Sequence, residues 1–212
     1  MDNNYNLMND MFYDFDSKGY MNTVGVSPVV FEEALRRGDE SPDGGRKIHW
    51  KLAFGDYPDS LKFPLEFIVI DGRKIRDVLE MRWPCLFLIS ENVKRVFLEN
   101  GLTGWKPYDV VVRGKSGEKI TGFCGFSVTG RIPDDWEIGK VRTPDFFLAE
   151  PAFMVCVSKV VKVLNENKIK DFDTRLIDRK FCERIINMSP KSPVKTKDRF
   201  FEKVYASLES PK

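Results

Sequence analysis

The chain has 212 residues, 42% hydrophobic and 31% charged, which is enough apolar material for the core of one ordinary domain and too much for global disorder. Its 34 basic and 32 acidic side chains leave a formal charge of +2, and that near-neutral balance argues against nucleic-acid phosphates as the main partner. A single histidine, His49, excludes multi-histidine metal sites and any serine triad that does not run through it.

The N-terminus, "MDNNYNLMNDMFYDFDSKGY", is polar and acidic and lacks the pattern of a secretory signal. No apolar run approaches the ~20 residues that span a bilayer, so the expectation is a soluble cytoplasmic protein with no membrane partner. Met11 to Phe15 read as an early strand. A short helix is expected over "SPVVFEEALRRGDE", with Ser27 as its cap and Pro28 at its first position. Asp39 to Gly45 form a loop. In "KIHWKLAF", Ile48, Trp50, Leu52 and Phe54 alternate, which predicts a half-buried strand over 47–54 with His49 on its polar face. "PLEFIVID" is a second strand ending at the Asp71-Gly72 turn. "RKIRDVLEM" fits a short helix or an edge strand, and "WPCLFLI" a short buried strand.

Ser90 opens the best-defined helix. Val93, Val96 and Phe97 have helical spacing, and Asn100-Gly101 supplies the stop. "YDVVV" is the next strand, "RGKSGEK" a hairpin loop, and "ITGFCGFSVTG" a returning strand broken by glycines. The hairpin lacks the spacing of a phosphate loop and does not lead into a helix. After the polar segment "RIPDDWEIGKVRTP" much of the first pattern recurs. "FMVCV" is a strand, Ser158 or the residue before it a cap, and Val160, Val163 and Leu164 stand where Val93, Val96 and Phe97 stood. Ile169 and Phe172 replace Leu102 and Trp105, and Glu166-Asn167 follows Glu99-Asn100 by 67 residues. Every matched position is apolar or a cap, so the repeat reads as a packing unit used twice around one core. The tail from Asn187 is linker-like, and "DRFFEKVYASL" offers Phe200, Phe201, Val204 and Leu208 to a terminal docking helix.

The expected fold is α+β: a mixed, largely antiparallel sheet with the two repeat-related helices packed on it and a C-terminal helix. A single domain is expected over 1–186, with repeats at about 85–112 and 153–178, followed by a linker and docking helix over 187–212. Cys85, Cys124, Cys156 and Cys182 have no close pairing and no neighbouring histidine, so they read as buried free thiols, with no metal and no cofactor implied. Asp134, Asp135 and Glu137 crowd one polar loop. Paired acids of that kind serve a small carboxylate-dependent hydrolase when burial separates their pKa values, but Arg131, Lys140 and Arg142 beside them favour a solvated, charge-balanced loop. Trp136 among those charges, taken as exposed, marks a surface for protein contact. The basic stretch "SPKSPVKTK" leaves a peptide- or nucleic-acid-binding adaptor as a further alternative.

The order "LISENVKRVFLENGLTGWKPYDVVV", then "KSGEKITGFCGFSVTGRI", "DFFL" and "NKIKDFDTRLIDR" resembles the family of predicted immunity proteins of bacterial polymorphic toxin systems, the myxobacterial-type group. The likeness runs from about Phe63 to Arg179 and reaches neither the residues before about Trp50 nor the tail after Asn187. Some members of that family carry double CxxCG motifs; this chain has none, so no zinc site is carried over. The resemblance implies a non-enzymatic cytoplasmic protein that binds and neutralises a cognate toxin. Contacts are then expected from Arg131, Asp134, Asp135 and Trp136, with Asp145 as an outlying member.

Overall fold

The computed structural model describes residues 11–18, 23–36, 51–57, 62–81, 86–132, 136, 138, 143–149, 153–188 and 200–209. The fold is α+β, with mixed, largely antiparallel pairing spread over two sheets. The strands are β1 (Phe12–Ser17), β2 (Gly25–Pro28), β3 (Leu65–Asp71), β4 (Val78–Met81), β5 (Phe87–Ser90), β6 (Trp105–Tyr108), β7 (Val110–Arg113), β8 (Lys119–Ile120), β9 (Phe123–Val128), β10 (Phe146–Ala149), β11 (Phe153–Val157) and β12 (Phe172–Leu176). The helices are α1 (Val29–Arg36), α2 (Glu91–Glu99), α3 (Ser158–Glu166), α4 (Arg179–Met188) and α5 (Phe200–Glu209). One sheet has the order β10-β11-β1-β12 and the other β6-β9-β5-β4-β2-β3-β7-β8.

The repeat is larger than its sequence signature. In the first copy, β5 and β6 both pair antiparallel with β9, which lies between them, and α2 crosses from one to the other. In the second, β11 and β12 flank β1 in the same way and α3 makes the crossing. Each copy is thus a split β-α-β unit. Even the registers agree: Ser90 faces Phe123 as Val157 faces Phe12, and Trp105 faces Val128 as Phe172 faces Ser17. A fourth strand joins each, β4 beside β5 and β10 beside β11, with Val78 opposite Ile89 and Phe146 opposite Cys156. The order is permuted, because the central strand follows the helix in the first copy but comes first in the chain in the second.

Both helices end alike. The Asn100 and Asn167 side chains donate to the Val96 and Val163 carbonyls at 2.8 and 2.9 Å, and the next residue turns left-handed at φ 56° in each. That residue is Gly101 in α2 but Lys168 in α3, where a side chain in this conformation costs about 1–2 kcal/mol. The helix starts differ. Ser90 Oγ accepts from Val93 N, whereas the α3 cap is Val157, with no side-chain bond; Ser158 is already helical and its hydroxyl accepts from Met11 N at 3.1 Å.

The apolar faces of α2 and α3 meet in one core shared by both sheets. Trp105 stacks on Phe126 (5.6 Å, 16°), and the matching pair, Phe172 and Phe15, stacks at 4.6 Å and 25°. A second core lies on the other face of the four-stranded sheet, under α4 and α5, and a third on the other face of the large sheet, under α1 and residues 51–54. Cys124, Cys156 and Cys182 are free and buried within these cores, and burial pushes the Cys124 thiol up to about 12 and Cys182 to about 11; Cys85 lies outside the described residues.

Several elements differ from expectation. Ser27 belongs to β2 rather than capping a helix, and α1 begins only after Pro28, whose fixed φ closes the strand. Residues 51–54 are helical, not a strand. Their last carbonyls are taken by Gly55 N and Asp56 N, by the Ser127 hydroxyl and by Arg131, and Gly55 at φ 67° ends the turn. His49 lies outside the described residues. "RKIRDVLEM" resolves into an extended segment ending in β4. "YDVVV" is split at Asp109, with Tyr108 in the edge strand β6 and Val110 to Val112 in β7, three strands removed from the first repeat. Helix α4 was not foreseen; Asp178 caps it through Phe181 N at 2.8 Å, and Phe181, Cys182 and Ile185 face inward.

Candidate functional site

Five side chains were expected to contact a partner, and the described ones do not form a common surface. Trp136 is 1% exposed, which corrects its expected exposure. Its ring packs on Phe12 at 5.8 Å and Phe200 at 5.7 Å, so the loop is anchored inward by its aromatic residue. Asp145 is 5% exposed and is likewise not a surface group. Its carboxylate accepts from Thr103 N at 2.7 Å, Thr103 Oγ1 at 2.9 Å and Lys159 Nζ at 3.2 Å. Arg131 is exposed, yet its guanidinium donates to the carbonyls of Val128, Gly130 and Phe54 and lies over the Phe54 ring. Asp134 and Asp135 lie outside the described residues, as does Glu137 of the hydrolase alternative.

Asp145 is one half of a reciprocal joint between the two copies. The exit loop of the first copy, Thr103, binds Asp145 at the entry to β10 of the second, and Phe146 N donates to Thr103 O. In return, Asp171 in the exit loop of the second copy accepts from Asp77 N at 2.9 Å, at the entry to β4 of the first, and pairs with Arg76 at 3.2 Å. These carboxylates satisfy half-buried backbone donors at the contact between the copies, so their role is assembly of the scaffold.

Among the described residues, the carboxyl groups that burial perturbs are Asp14 and Asp16, neither of which is a candidate from sequence. Asp14 and Asp16 on β1 face Arg175 and Asp173 on β12, and Arg184 of α4 approaches the same patch. The alternation in "FYDFDS" and "FDTRL" carried the signal, since residues two apart share a strand face. Burial raises Asp14 from 3.8 to about 6, aided by Asp16 and Asp173 and opposed by Arg175 and Arg184. Burial raises Asp16 as well, against the hydrogen bond from Ser17 N. Like charges face each other directly at Asp16 and Asp173, an unfavourable cross-strand pair. Such a carboxyl gives up a proton near neutral pH, which is a chemical capacity. Among the described residues, no group of three or more His, Cys, Asp or Glu is placed to hold a metal ion, and no helix is long and apolar enough to cross a membrane.

Because the folded-state pKa of Asp14 lies above its unfolded value, its favourable contribution is complete below about pH 4 and is lost as pH rises through about 6. Asp14→Asn is therefore expected to melt above wild type at pH 7 and to converge with it toward pH 4. Thermal melts across that range test this; a variant less stable at pH 7, or a parallel profile, contradicts it.

No family model matches the chain, and no curated protein matches it in sequence.

Proposed function

We propose that the chain is a cytoplasmic, non-enzymatic immunity protein that binds a cognate bacterial toxin and blocks it, without metal or cofactor. The observation that supports this reading is where the family-like residues fall. Ser90, Gly101, Trp105, Phe126 and Phe146, which carry the resemblance, cap, turn or pack the doubled β-α-β unit. The resemblance is therefore one of scaffold. The outward residues of α2 and α3, such as Lys94, Arg95, Lys162 and Glu166, are charged and only locally paired, leaving them free to vary with the partner. A neutralising binder needs such a fixed frame, with specificity set by the charge pattern it presents.

Co-expression with the product of the adjacent gene tests the reading. The expected result is that the gene product arrests growth alone, that this chain restores growth, and that the two purify as a stoichiometric complex. Unrelieved toxicity with no complex would overturn it.

A further inference from the structure

The outer edge of β12 is open among the described residues, and its sequence, "FDTRL", is complementary to itself when reversed about Thr174. The bonds from Lys18 N to Asp171 O and from Ile177 N to Phe12 O fix which residues of β12 bond to β1. They are Asp173 and Arg175, so Phe172, Thr174 and Leu176 turn their N–H and C=O groups outward.

The matching edge in the other copy is closed. There Thr129 N donates to Gly104 O, as Lys18 N does to Asp171 O, so the outward residues of β6 are Trp105 and Pro107. Pro107, at the position of Thr174, has no N–H to offer, the usual protection of an edge strand. Thr174 retains its donor, and Leu176 beside it is 41% exposed.

We propose that β12 pairs antiparallel with β12 of a second copy of this chain, across a twofold axis at Thr174. In that register Thr174 faces its own counterpart and Phe172 faces Leu176 of the second copy, both through outward-facing backbone groups. Asp173 then faces Arg175 of the second copy, and Arg175 faces Asp173, on the sheet face that carries Asp14 and Asp16. Within one chain Asp173 has the like-charged Asp16 opposite it and, among the described residues, only Arg175 of its own strand, at 3.5 Å, as counterion. Self-pairing supplies the missing cross-strand cation and covers Leu176. A one-residue slip would remove both ion pairs, so charge specifies the register.

Sedimentation of the full chain from about 1 μM to about 200 μM is the test, with Thr174→Pro alongside. Wild type is expected to shift reversibly to twice its monomer mass. Thr174→Pro, tolerated at the matching position as Pro107, is expected to stay monomeric with an unchanged circular dichroism spectrum. Arg175→Asp is expected to raise the dissociation constant about tenfold, and Asp173→Arg with Arg175→Asp to reverse that loss. If Thr174→Pro does not fold, Thr174→Cys replaces it: oxidation is expected to cross-link it to itself at facing positions, with wild type as control. A wild type that stays monomeric throughout, a folded Thr174→Pro that still dimerises, or a Thr174→Cys that fails to cross-link would overturn the proposal.

Discussion

Gly104→Ala is expected to lower the stability of the chain by about 3 kcal/mol, a fall of about 6–12 °C in melting temperature for a protein of this size. Gly104 sits at φ 82°, where an L side chain costs about 1–2 kcal/mol. A Cβ there would also lie 2.0 Å from the Phe146 carbonyl oxygen and 2.9 Å from Pro144 Cβ. The obstacle is backbone, and it cannot withdraw, because Phe146 N is bonded to Thr103 and Asp145 is bonded to Thr103 three times. Gly101→Ala is the control. It shares the left-handed conformation, at φ 56°, but its Cβ would meet nothing within 4 Å. Chemical denaturation of both variants separates backbone strain from collision. Equal losses in the two would refute the close approach at the joint.

That joint was beyond reach of the sequence, and the reason is connectivity. Local features were legible: the Ser90 cap, the Asn100-Gly101 stop and the helix faces Val93, Val96 and Phe97 depend on residues within one turn. A constant spacing of 67 exposed the β5-α2-β6 and β11-α3-β12 segments. It could not expose the rest of the unit. The fourth strands, β4 and β10, match with one residue more between them. The central strands, β9 and β1, match in the opposite chain direction, so no single offset aligns all four. Phe12 pairs with Val157, and nothing in "MFYDF" names that partner.

The misread side chains share a cause. The neighbours Asp134, Asp135 and Glu137 predict an exposed Trp136, but Phe12 and Phe200, remote in sequence, decide its burial. Asp145 is fixed by Thr103 and Lys159, which are equally invisible locally. In 51–54, the alternation of Leu52 and Phe54 is too short a window to separate a strand from a helical turn whose carbonyls are capped by Ser127 and Arg131. Strand readings held where neighbouring strands supplied the partners, as in β3 and β11, and failed where side chains did.

Trp136→Ala is expected to cost about 3–5 kcal/mol, the range for truncating a buried aromatic ring. The ring is one of the largest fully buried side chains and completes the cluster of Phe12, Phe147 and Phe200 that holds α5 against the four-stranded sheet. Loss should therefore appear first in α5. Hydrogen exchange in residues 200–209 is expected to quicken more than in α2, whose core contacts are separate. Trp136→Phe distinguishes ring from indole: Nε1 has no hydrogen-bond partner among the described residues, so phenylalanine forfeits volume but no bond and is expected to cost less than alanine. Lys203 Nζ donates to the Trp136 carbonyl, a backbone contact that both variants keep. A Trp136→Ala protein that melts like wild type would mean that the ring does not anchor α5, and would return Trp136 to the surface as a candidate contact for the partner.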